Sequence, residues 1–387
     1  MATAAAPLTQ MLTPRQVLQR LTRLQGPEQE QQVAFAPLGT TVLPSSLKTD
    51  KFIWGIQVRY HGRITTGGAG FTPLPNALWN LIQEFRVYGT HVKWGAQVPF
   101  RMRGASVRDY AQIFGKGFAP AASVLKAGVA GTFDGTASTA FDCDVIWTLI
   151  FPPADIPLAD QIVNGALKGP EWPGDLHLAM DVADGTSLGT TAVNITFSAY
   201  GSGSGNGQLS VSLIRPNITV ALMNAITPAI CFKSYTDLAP LLQGASFTGQ
   251  KIADLNIGKG TTRVILKTGT LQTATSAGVA AFASLSNGII TRAFPALDGK
   301  PLKNPYSNLE MREYGGYFYQ NNIPAGYQVL DWVEGMNVLS AFPSQGLTSA
   351  RRFEVDGDIV GAANQGGERI QEELLGSPII MPVPVGS

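Results

Sequence analysis

Apolar and polar residues alternate along several short segments of the chain. Clear examples are Phe52 to Tyr60 (FIWGIQVRY) and the start of 208–222 (QLSVSLIRPNITVAL), and two further short runs, Arg263 to Lys267 (RVILK) and Tyr327 to Val333 (YQVLDWV), are also expected to be strands. A period of two is typical of strands that bury one face. Short strands between long loops occur in β-sandwiches and jelly rolls. We therefore expect a mainly β protein.

One stretch, PNALWNLIQEFRVYG at residues 75–89, changes its period along its length. Asn76 can cap a short helix that runs through Leu81 and Ile82. From Glu84 onward the period becomes two, which predicts a strand that ends at Gly89. Four apolar side chains of this stretch are expected to pack inward: Leu78, Leu81, Phe85 and Val87.

The N-terminal segment predicts a basic amphipathic helix at residues 13–25. Thr13 can cap it, Pro14 suits its first turn, and Gly26 suits its exit. Its apolar face holds Val17, Leu18, Leu21 and Leu24, and its basic residues are Arg15, Arg20 and Arg23. Such a helix can lie on a membrane surface or dock on a partner, or pack on its own domain with solvated arginines. The glutamine-rich segment that follows, 28–32, is expected to be a hinge.

Composition narrows the class of protein. Among 387 residues, 44% are hydrophobic, enough for a sizeable core, but only 14% are charged, against roughly 25% in typical soluble domains. This low charge, with 43 Gly and 25 Pro, favours a turn-rich β protein whose surface is covered by partners. The net charge of +1 argues against direct nucleic-acid binding. We expect neither a signal peptide nor a membrane-spanning segment.

The sequence contains few candidate catalytic or metal-binding residues. Cys143 and Cys231 define no zinc site and are either two free thiols or one disulfide. The three histidines, His61, His91 and His177, have no metal-ligand spacing. No catalytic motif appears either, so we expect no enzyme activity, no cofactor and no metal site.

Two pairs of aspartates leave one alternative open. Asp142 and Asp144, like Asp356 and Asp358, lie two positions apart, which places both side chains on one face of a strand. Such a pair could hold a divalent cation. The DGD sequence at 356–358 is also a hairpin signal, which is the reading that we favour.

Four features, in order, resemble the double jelly-roll major capsid proteins of tailless, membrane-containing bacteriophages of the tectivirus type. They are the N-terminal helix TPRQVLQRLTRLQ (13–25), the stretch NALWNLIQEFRVYG (76–89), the block DVIWTLIFPPADIPLADQIVNGALKGPEWPGDLHLAMDV (144–182), and the Gly-rich loop before QLSVSLIRPNITVAL (201–222). Trp79 departs from the pattern of that family, and residues 123–140 have no clear counterpart in it. The second half agrees only in style and order.

The resemblance implies two jelly-roll barrels side by side in one chain, after a short N-terminal helix. The expected domains are 1–32 for the helix and hinge, 33–225 for the first jelly roll, and 226–387 for the second jelly roll and C-terminal arm. It also implies a homotrimer that forms a pseudo-hexagonal capsomer and tiles an icosahedral shell over an internal membrane. The implied partners are neighbouring capsomers, vertex and minor capsid proteins, and that membrane, reached through the N-terminal helix.

The resemblance further implies a location in the virion, and in the host cytoplasm during assembly. Segments 28–45 and 366–387 are expected to be extended arms that cross to neighbouring subunits. An alternative function is a carbohydrate-binding spike or a β-sandwich hydrolase, which would need a cleft with convergent carboxylates or aromatic rings.

Overall fold

The computed structural model describes most of the chain, with gaps at the N-terminus, at the C-terminus and in several loops. The described residues are 24–43, 45–67, 73–74, 77–114, 124–125, 140–154, 158–189, 194–218, 223–224, 226–273, 281–302, 306–319, 323–332 and 352–376.

The first half of the chain contributes strands β1 to β12. These are β1 (Glu28–Ala34), β2 (Thr40–Val42), β3 (Phe52–Ile53), β4 (Gly55–Gly67), β5 (Ile82–His91), β6 (Gly95–Met102), β7 (Val124–Leu125), β8 (Ala140–Ile150), β9 (Leu167–Lys168), β10 (His177–Val182), β11 (Asn194–Ser198) and β12 (Gln208–Ile214).

The second half contributes strands β13 to β22. These are β13 (Ile230–Asp237), β14 (Phe247–Asp254), β15 (Gly260–Leu271), β16 (Phe282–Leu285), β17 (Ile290–Leu297), β18 (Lys300–Pro301), β19 (Tyr306–Ser307), β20 (Tyr327–Asp331), β21 (Phe353–Ile359) and β22 (Gln365–Leu375).

The described part of the chain contains few helices, and all of them are short. The α-helices are α1 (Gly104–Phe114), α2 (Leu158–Val163), α3 (Ala239–Leu242) and α4 (Asn308–Tyr319), and the 3-10 helices are Ala77–Leu81, Gly169–Glu171 and Gly185–Ser187. The prediction of a mainly β protein is therefore confirmed. Among the described residues, no helix has the length and apolar character needed to cross a membrane.

Three large sheets build the molecule. One runs β1-β12-β4-β8-β7, with β11 also on β4, and one runs β14-β21-β17-β18, with β19 also on β17. The longest sheet runs β16-β15-β22-β13-β6-β5-β10-β2, with β20 also on β15. A small pair of strands, β3 and β9, completes the set.

The longest sheet belongs to both halves of the chain. Its first-half strands pair with its second-half strands where β6 meets β13 in parallel, with Phe100 opposite Lys233. Strand β22 comes last in the described sequence, yet it lies inside this sheet with β13 on one side and β15 on the other. The two halves are thus joined side by side through backbone hydrogen bonds.

Each half has its own apolar core. The first core is built mainly from first-half side chains, including Trp147, Phe85 and Trp172, and also takes in Phe232 and Ile370 from the second half. The second core contains only second-half residues. Alternating apolar positions of facing sheets fill both cores, which is the arrangement of a sandwich or jelly roll.

The segment expected to be a hinge is a strand. Residues 28–32 lie within β1, which pairs antiparallel with β12. Because β1 is the edge of its sheet, polar side chains there remain partly in solvent, and Gln31 also bonds the backbone of Ser45 in both directions, at 2.9 Å and 3.3 Å. A glutamine-rich segment can therefore form an edge strand, although its composition did not predict one.

Three other expectations are also wrong. Strand β22 (Gln365–Leu375) takes up residues 366–375 of the expected C-terminal arm, and its side chains are mostly buried, while residues 377–387 lie outside the described residues. Likewise β1 and β2 cover much of the expected arm at 28–45. The DGD sequence at 356–358, expected to be a hairpin turn, lies inside β21 (Phe353–Ile359).

Both cysteines are free and buried thiols, so the disulfide alternative is excluded. Burial, aided by the charges of Asp144 and Asp142, raises the pKa of Cys143 to about 12. Burial also raises the pKa of Cys231. Both thiols therefore remain protonated and unreactive at neutral pH.

Candidate functional site

The helix-to-strand stretch of the first half forms the base on which the site is built. The 3-10 helix Ala77–Leu81 leads directly into β5. Leu78 is 6% exposed, while Leu81, Phe85 and Val87 are 0% exposed. The Phe85 ring lies edge-on to Trp147, with 5.7 Å between ring centres. Asn76, the expected cap, lies outside the described residues.

The same helix-to-strand stretch fixes the position of helix α1. The indole of Trp147 donates a hydrogen bond to the carbonyl of Trp79, at 3.2 Å, beside the start of α1. At that start, a Cβ on Gly104 would lie 2.5 Å from the Trp79 carbonyl oxygen and would also collide with that of Ile82. Only glycine permits so close an approach of two backbones.

Helix α1 lies between the two halves and is buried on nearly all sides, including Ser106, Asp109 and Tyr110. These three polar side chains reach the strands β15, β20 and β22 of the second half. A helix with such a surface belongs to the interior of the protein rather than to its surface.

Asp109 is the centre of the first group of contacts. It accepts a hydrogen bond from Lys267 Nζ at 3.1 Å and another from the hydroxyl of Tyr327. Lys267 also donates to Ser106 Oγ at 3.2 Å, and Ser106 in turn donates to Glu368. Burial, together with the charge of Asp109, raises the pKa of Tyr327 well above its usual value, so its hydroxyl keeps its proton.

Glu372 is the centre of the second group. Its carboxylate accepts hydrogen bonds from Tyr110 and from Thr262, the latter at 2.8 Å, and lies 3.4 Å from Arg263 and 3.7 Å from Lys233. Burial alone would raise the pKa of Glu372. The two cations and the two hydroxyl donors outweigh burial and hold that pKa below the usual glutamate value.

Lys233 ties the end of β8 to the second half. Its Nζ is fully buried and donates to the carbonyl oxygens of Ile150, Phe151 and Pro152, at 2.5, 3.0 and 2.8 Å. A buried ammonium needs such a set of acceptors because its desolvation is costly. We call the following residues the charged seam: Asp109, Tyr110, Lys233, Arg263, Lys267, Glu368 and Glu372.

The opposite face of β22 has a different balance of charge. Glu373, next to Glu372, faces Asn256, whose Nδ2 donates to it at 3.1 Å. Burial raises the pKa of Glu373 by more than Lys259, Asn256 and Arg369 lower it. Adjacent glutamates of one strand therefore have pKa values shifted in opposite directions.

The charged seam can fix geometry but offers no open chemistry. Removing one member of a buried ion pair is strongly destabilising, because the other charge remains buried without compensation. The same pairs penalise any displacement of α1 along β22 and β15, since each contact has a short distance range. The seam thus holds the two halves at one relative position.

Three of the four aspartates in the predicted pairs lie beside basic side chains, whereas Asp356 has a buried Oδ1 without a hydrogen-bond partner among the described residues. Asp142 is bonded by Arg63 at 2.8 Å, and Asp144 lies 2.7 Å from both Arg59 and His61. Asp358 lies 2.9 Å from Arg292. In the described part of the chain, no group of three or more His, Cys, Asp or Glu side chains has the proximity that a metal site needs.

Most of the predicted N-terminal site residues are not among the residues that the structure describes. Arg15, Val17, Leu18, Arg20, Leu21 and Arg23 lie outside the described residues. Leu24, by contrast, forms an isolated β-bridge with Pro216, and the amide of Gln25 donates to the carbonyl of Arg215 at 2.8 Å. The predicted helix therefore does not extend to 24–25, where the backbone pairs with the segment after β12 and Leu24 packs on the first core.

The charged seam was not predicted from the sequence. Its residues stand within apolar strands, as in RVILK and ERIQEELL, and this placement of charges is the one local signal of their burial. Their partners are distant along the chain, since Glu372 and Arg263 are separated by 109 residues. Sequence spacing could not have paired them.

The sequence matches no protein-family model and no curated protein sequence. Solved structures, however, resemble this fold over nearly its whole length. The crystal structure of the MCP of STIV, the Sulfolobus Turreted Icosahedral Virus, has a TM-score of 0.56 at 13% identity, covering 91% of this chain and 95% of that chain.

Two further structures agree. A quasi-atomic model of the PBCV-1 virus capsid gives a TM-score of 0.57 at 12% identity, covering 91% of this chain and 93% of that chain. The major capsid protein P2 of bacteriophage PM2 gives 0.51 at 9% identity, covering 92% and 98%. Together with the two sandwiches joined along one sheet, these likenesses confirm the fold expected from the sequence: the chain has the double jelly-roll fold found in viral major capsid proteins.

Proposed function

We propose that this protein is the major capsid protein of a virus, and that it acts as a structural subunit rather than as an enzyme. The observation that carries the proposal is the joining of two jelly rolls into one body by a shared sheet and the charged seam. A shell subunit must keep its shape while neighbours press on it, and buried, directional contacts supply that rigidity. The similar solved structures are themselves capsid proteins, which supports this assignment.

The finer proposal is a homotrimer. Three chains, each with two jelly rolls, would give a pseudo-hexagonal capsomer that can tile an icosahedral shell and contact vertex and minor capsid proteins. The low fraction of charged residues, 14%, supports a surface largely covered by such neighbours. The subunit would reside in the virion, and in the host cytoplasm during assembly.

Purified protein tests this proposal. We expect light scattering to give a mass three times the 41.0 kDa of one chain, and electron microscopy to reveal hexagonal sheets or closed shells. A stable monomer that hydrolyses or binds a glycan would instead support a hydrolase or a carbohydrate-binding spike, and would exclude the capsid role.

The membrane part of the proposal rests on the segment before Leu24. With Arg15, Arg20 and Arg23 on one helix, each cation near an anionic bilayer surface would contribute about 1 kcal/mol. Deleting residues 1–23 should leave the trimer intact but weaken co-sedimentation with anionic liposomes. Cutting before Leu24 preserves its bridge to Pro216. Equal sedimentation of the truncated and full-length proteins would exclude a membrane role for this segment.

A further inference from the structure

The hairpin between β5 and β6 ends in an apolar tip. Its turn residues are Val92, Lys93 and Trp94, and we call these three residues the hairpin tip. Val92 is 64% exposed and Trp94 is 38% exposed. The ammonium of Lys93 lies over the Trp94 ring, 4.6 Å from its centre. Hairpin turns usually carry Gly, Asn, Asp or Ser, so an exposed Val and Trp call for a physical explanation.

The hairpin tip is held rigidly from below. His91 Nδ1 accepts the backbone N–H groups of Lys93 and Trp94, at 3.1 Å and 3.3 Å, while its Nε2 faces Glu171 at 3.2 Å. The side-chain amide of Gln97 donates to the Trp94 carbonyl at 2.7 Å. The apolar side chains are therefore presented outward by a preformed turn, which lowers the entropy cost of binding.

The hairpin tip lies at the end of the molecule where the N-terminal segment enters. Leu24 bridges Pro216, directly after β12, and the last residue of β12, Ile214, accepts a hydrogen bond from the amide of Trp54 at 2.9 Å. Two residues before Trp54, Phe52 pairs with Lys168 in the small β3-β9 sheet.

From Lys168 the chain passes through the 3-10 helix Gly169–Glu171. The carbonyl of Glu171 accepts the amide of Val92, the first residue of the hairpin tip, at 2.9 Å. A continuous path of neighbouring contacts thus joins the entry of residues 1–23 to the hairpin tip.

The C-terminal exit lies at the same end. Lys168 Nζ donates to the carbonyl of Ile226 at 2.8 Å, a few residues before β13 begins. The first residue of β13, Ile230, pairs with Leu375, the last residue of β22. The apolar sequence SPIIMPVPV (377–385) follows directly. The described chain therefore begins, at Leu24, and ends, after Leu375, at the end of the molecule that carries the hairpin tip.

We propose that the hairpin tip is a second membrane contact, which inserts Val92 and Trp94 into the headgroup region of a bilayer. Tryptophan favours that depth because its ring is apolar and its indole N–H is polar. In the described part of the chain the indole Nε1–H of Trp94, unlike its backbone N–H, donates to no protein acceptor, so it is available to lipid carbonyl or phosphate oxygens. Lys93 can extend its aliphatic stem along the ring and leave its ammonium among anionic headgroups.

A lipid surface fits the hairpin tip better than a second copy of the chain does. The tip consists of three consecutive turn residues, whereas a stable protein interface buries about 800 Å² on each partner. The proposal rests on the proposed function, in which this end of the subunit faces an internal membrane. It adds a contact that does not depend on residues 1–23.

Tryptophan fluorescence can detect this contact in the full-length protein. Residues 1–23 contain no tryptophan. Of the other tryptophans, Trp54, Trp147 and Trp172 are at most 2% exposed, Trp332 is 8% exposed, and the partly buried Trp79 packs against the first core. Vesicles of phosphatidylcholine and phosphatidylglycerol with lipids brominated near the headgroup should therefore quench mainly Trp94. We expect Trp94→Phe to abolish this quenching while the protein still sediments with the vesicles.

Affinity provides the second arm of the test. Val92→Ser with Trp94→Ser should weaken vesicle partitioning about tenfold, whereas Val98→Ser, an exposed valine of β6 away from the tip, should leave it unchanged. Quenching that survives Trp94→Phe, or partitioning that survives the double substitution, would overturn the proposal. Loss of the trimer in the double variant would assign the tip to a second copy and would also overturn it.

The proposed function is judged separately in the same preparations. Hexagonal sheets without quenching of Trp94 would refute the role of the hairpin tip alone. Absence of any trimer or sheet in the wild-type protein would refute the capsid role, whatever the tip does.

Discussion

Two adjacent glutamates of β22 differ in what their charges contribute. Glu372 faces α1 and is paired with Arg263 and Lys233. Glu373 faces away from α1, and burial raises its pKa above the usual glutamate value. Both are almost completely buried. At the residue scale, burial therefore says less about a charge than the identity of its partners does.

Substituting these two residues should shift stability in opposite directions. Because the folded-state pKa of Glu372 is depressed, its stabilisation is complete above the unfolded-state value of about 4.3 and is lost as the pH falls through the folded-state pKa. We expect Glu372→Gln to cost about 3–5 kcal/mol at pH 7, because Arg263 and Lys233 lose their counter-charge. Urea unfolding at pH 7 and below pH 4 should show this cost shrinking with acidity.

Glu373→Gln is the matched control. The raised folded-state pKa of Glu373 means that its carboxylate costs stability as the pH rises above about 4.3 and through the folded-state value. The amide should therefore be as stable as the wild type or more so at pH 7, with no difference at low pH. A loss at pH 7 similar to that of Glu372→Gln would contradict the assigned roles.

Phe85 offers a test of packing. Its ring is fully buried against Trp147, so Phe85→Ala should cost about 3–5 kcal/mol through lost contacts and a cavity. Leu309 is 67% exposed, and Leu309→Ala should change stability by less than about 0.5 kcal/mol. Chemical denaturation of the two variants would reject the core role of Phe85 if their losses were equal.

At the scale of elements, α1 is the part on which the site depends most. It starts where the 3-10 helix Ala77–Leu81 and β5 leave just enough room for a glycine, and it carries Asp109 and Tyr110 to the second half. The close contact at Gly104 thus sets the distance of α1 from the 3-10 helix and from β5.

Gly104→Ala should therefore displace α1. The added methyl group would meet the carbonyl oxygens of Trp79 and Ile82, and overpacking of this kind costs about 1–3 kcal/mol. Thermal unfolding would measure the loss. Gly203→Ala is the control, since a Cβ there meets nothing within 4 Å. No difference between the two variants would show that α1 does not depend on this close approach.

The sequence predicted strands well wherever one face is apolar and the other polar, as in β4 and β12. It did not predict α1, whose sequence GASVRDYAQIF lacks a polar cap and is buried on nearly every side. It misassigned β1, because glutamine has no strong preference that marks an edge strand. The charged seam was missed for another reason, namely that its pairs form only after the halves meet.

At the scale of the whole molecule, the two jelly rolls share backbone pairing at β6 and β13, part of the first core, and the charged seam. Interfaces between independent domains are usually more polar and less continuous. Here the boundary between the halves passes through a sheet, so the halves should behave as one structural unit.

This continuity predicts cooperative unfolding. We expect calorimetry of the full-length protein to give one transition for both halves, because separating them would expose Lys233 and Glu372 without partners. Lys267→Met, which removes the ion pair with Asp109, should lower the midpoint of that transition without splitting it. Two well-separated transitions in the wild-type protein would contradict this unity.

The position of β22 also determines when, during translation, the longest sheet can form. The strand that separates β13 from β15 is the last one described, so a nascent chain cannot close its longest sheet until β22 has left the ribosome. Until then, the edges of β13 and β15 remain unpaired and the first half lacks its counterpart. A prematurely terminated chain lacks this strand altogether. Synthesis of β22 would thus act as a checkpoint, because chains that end before it cannot complete the fold.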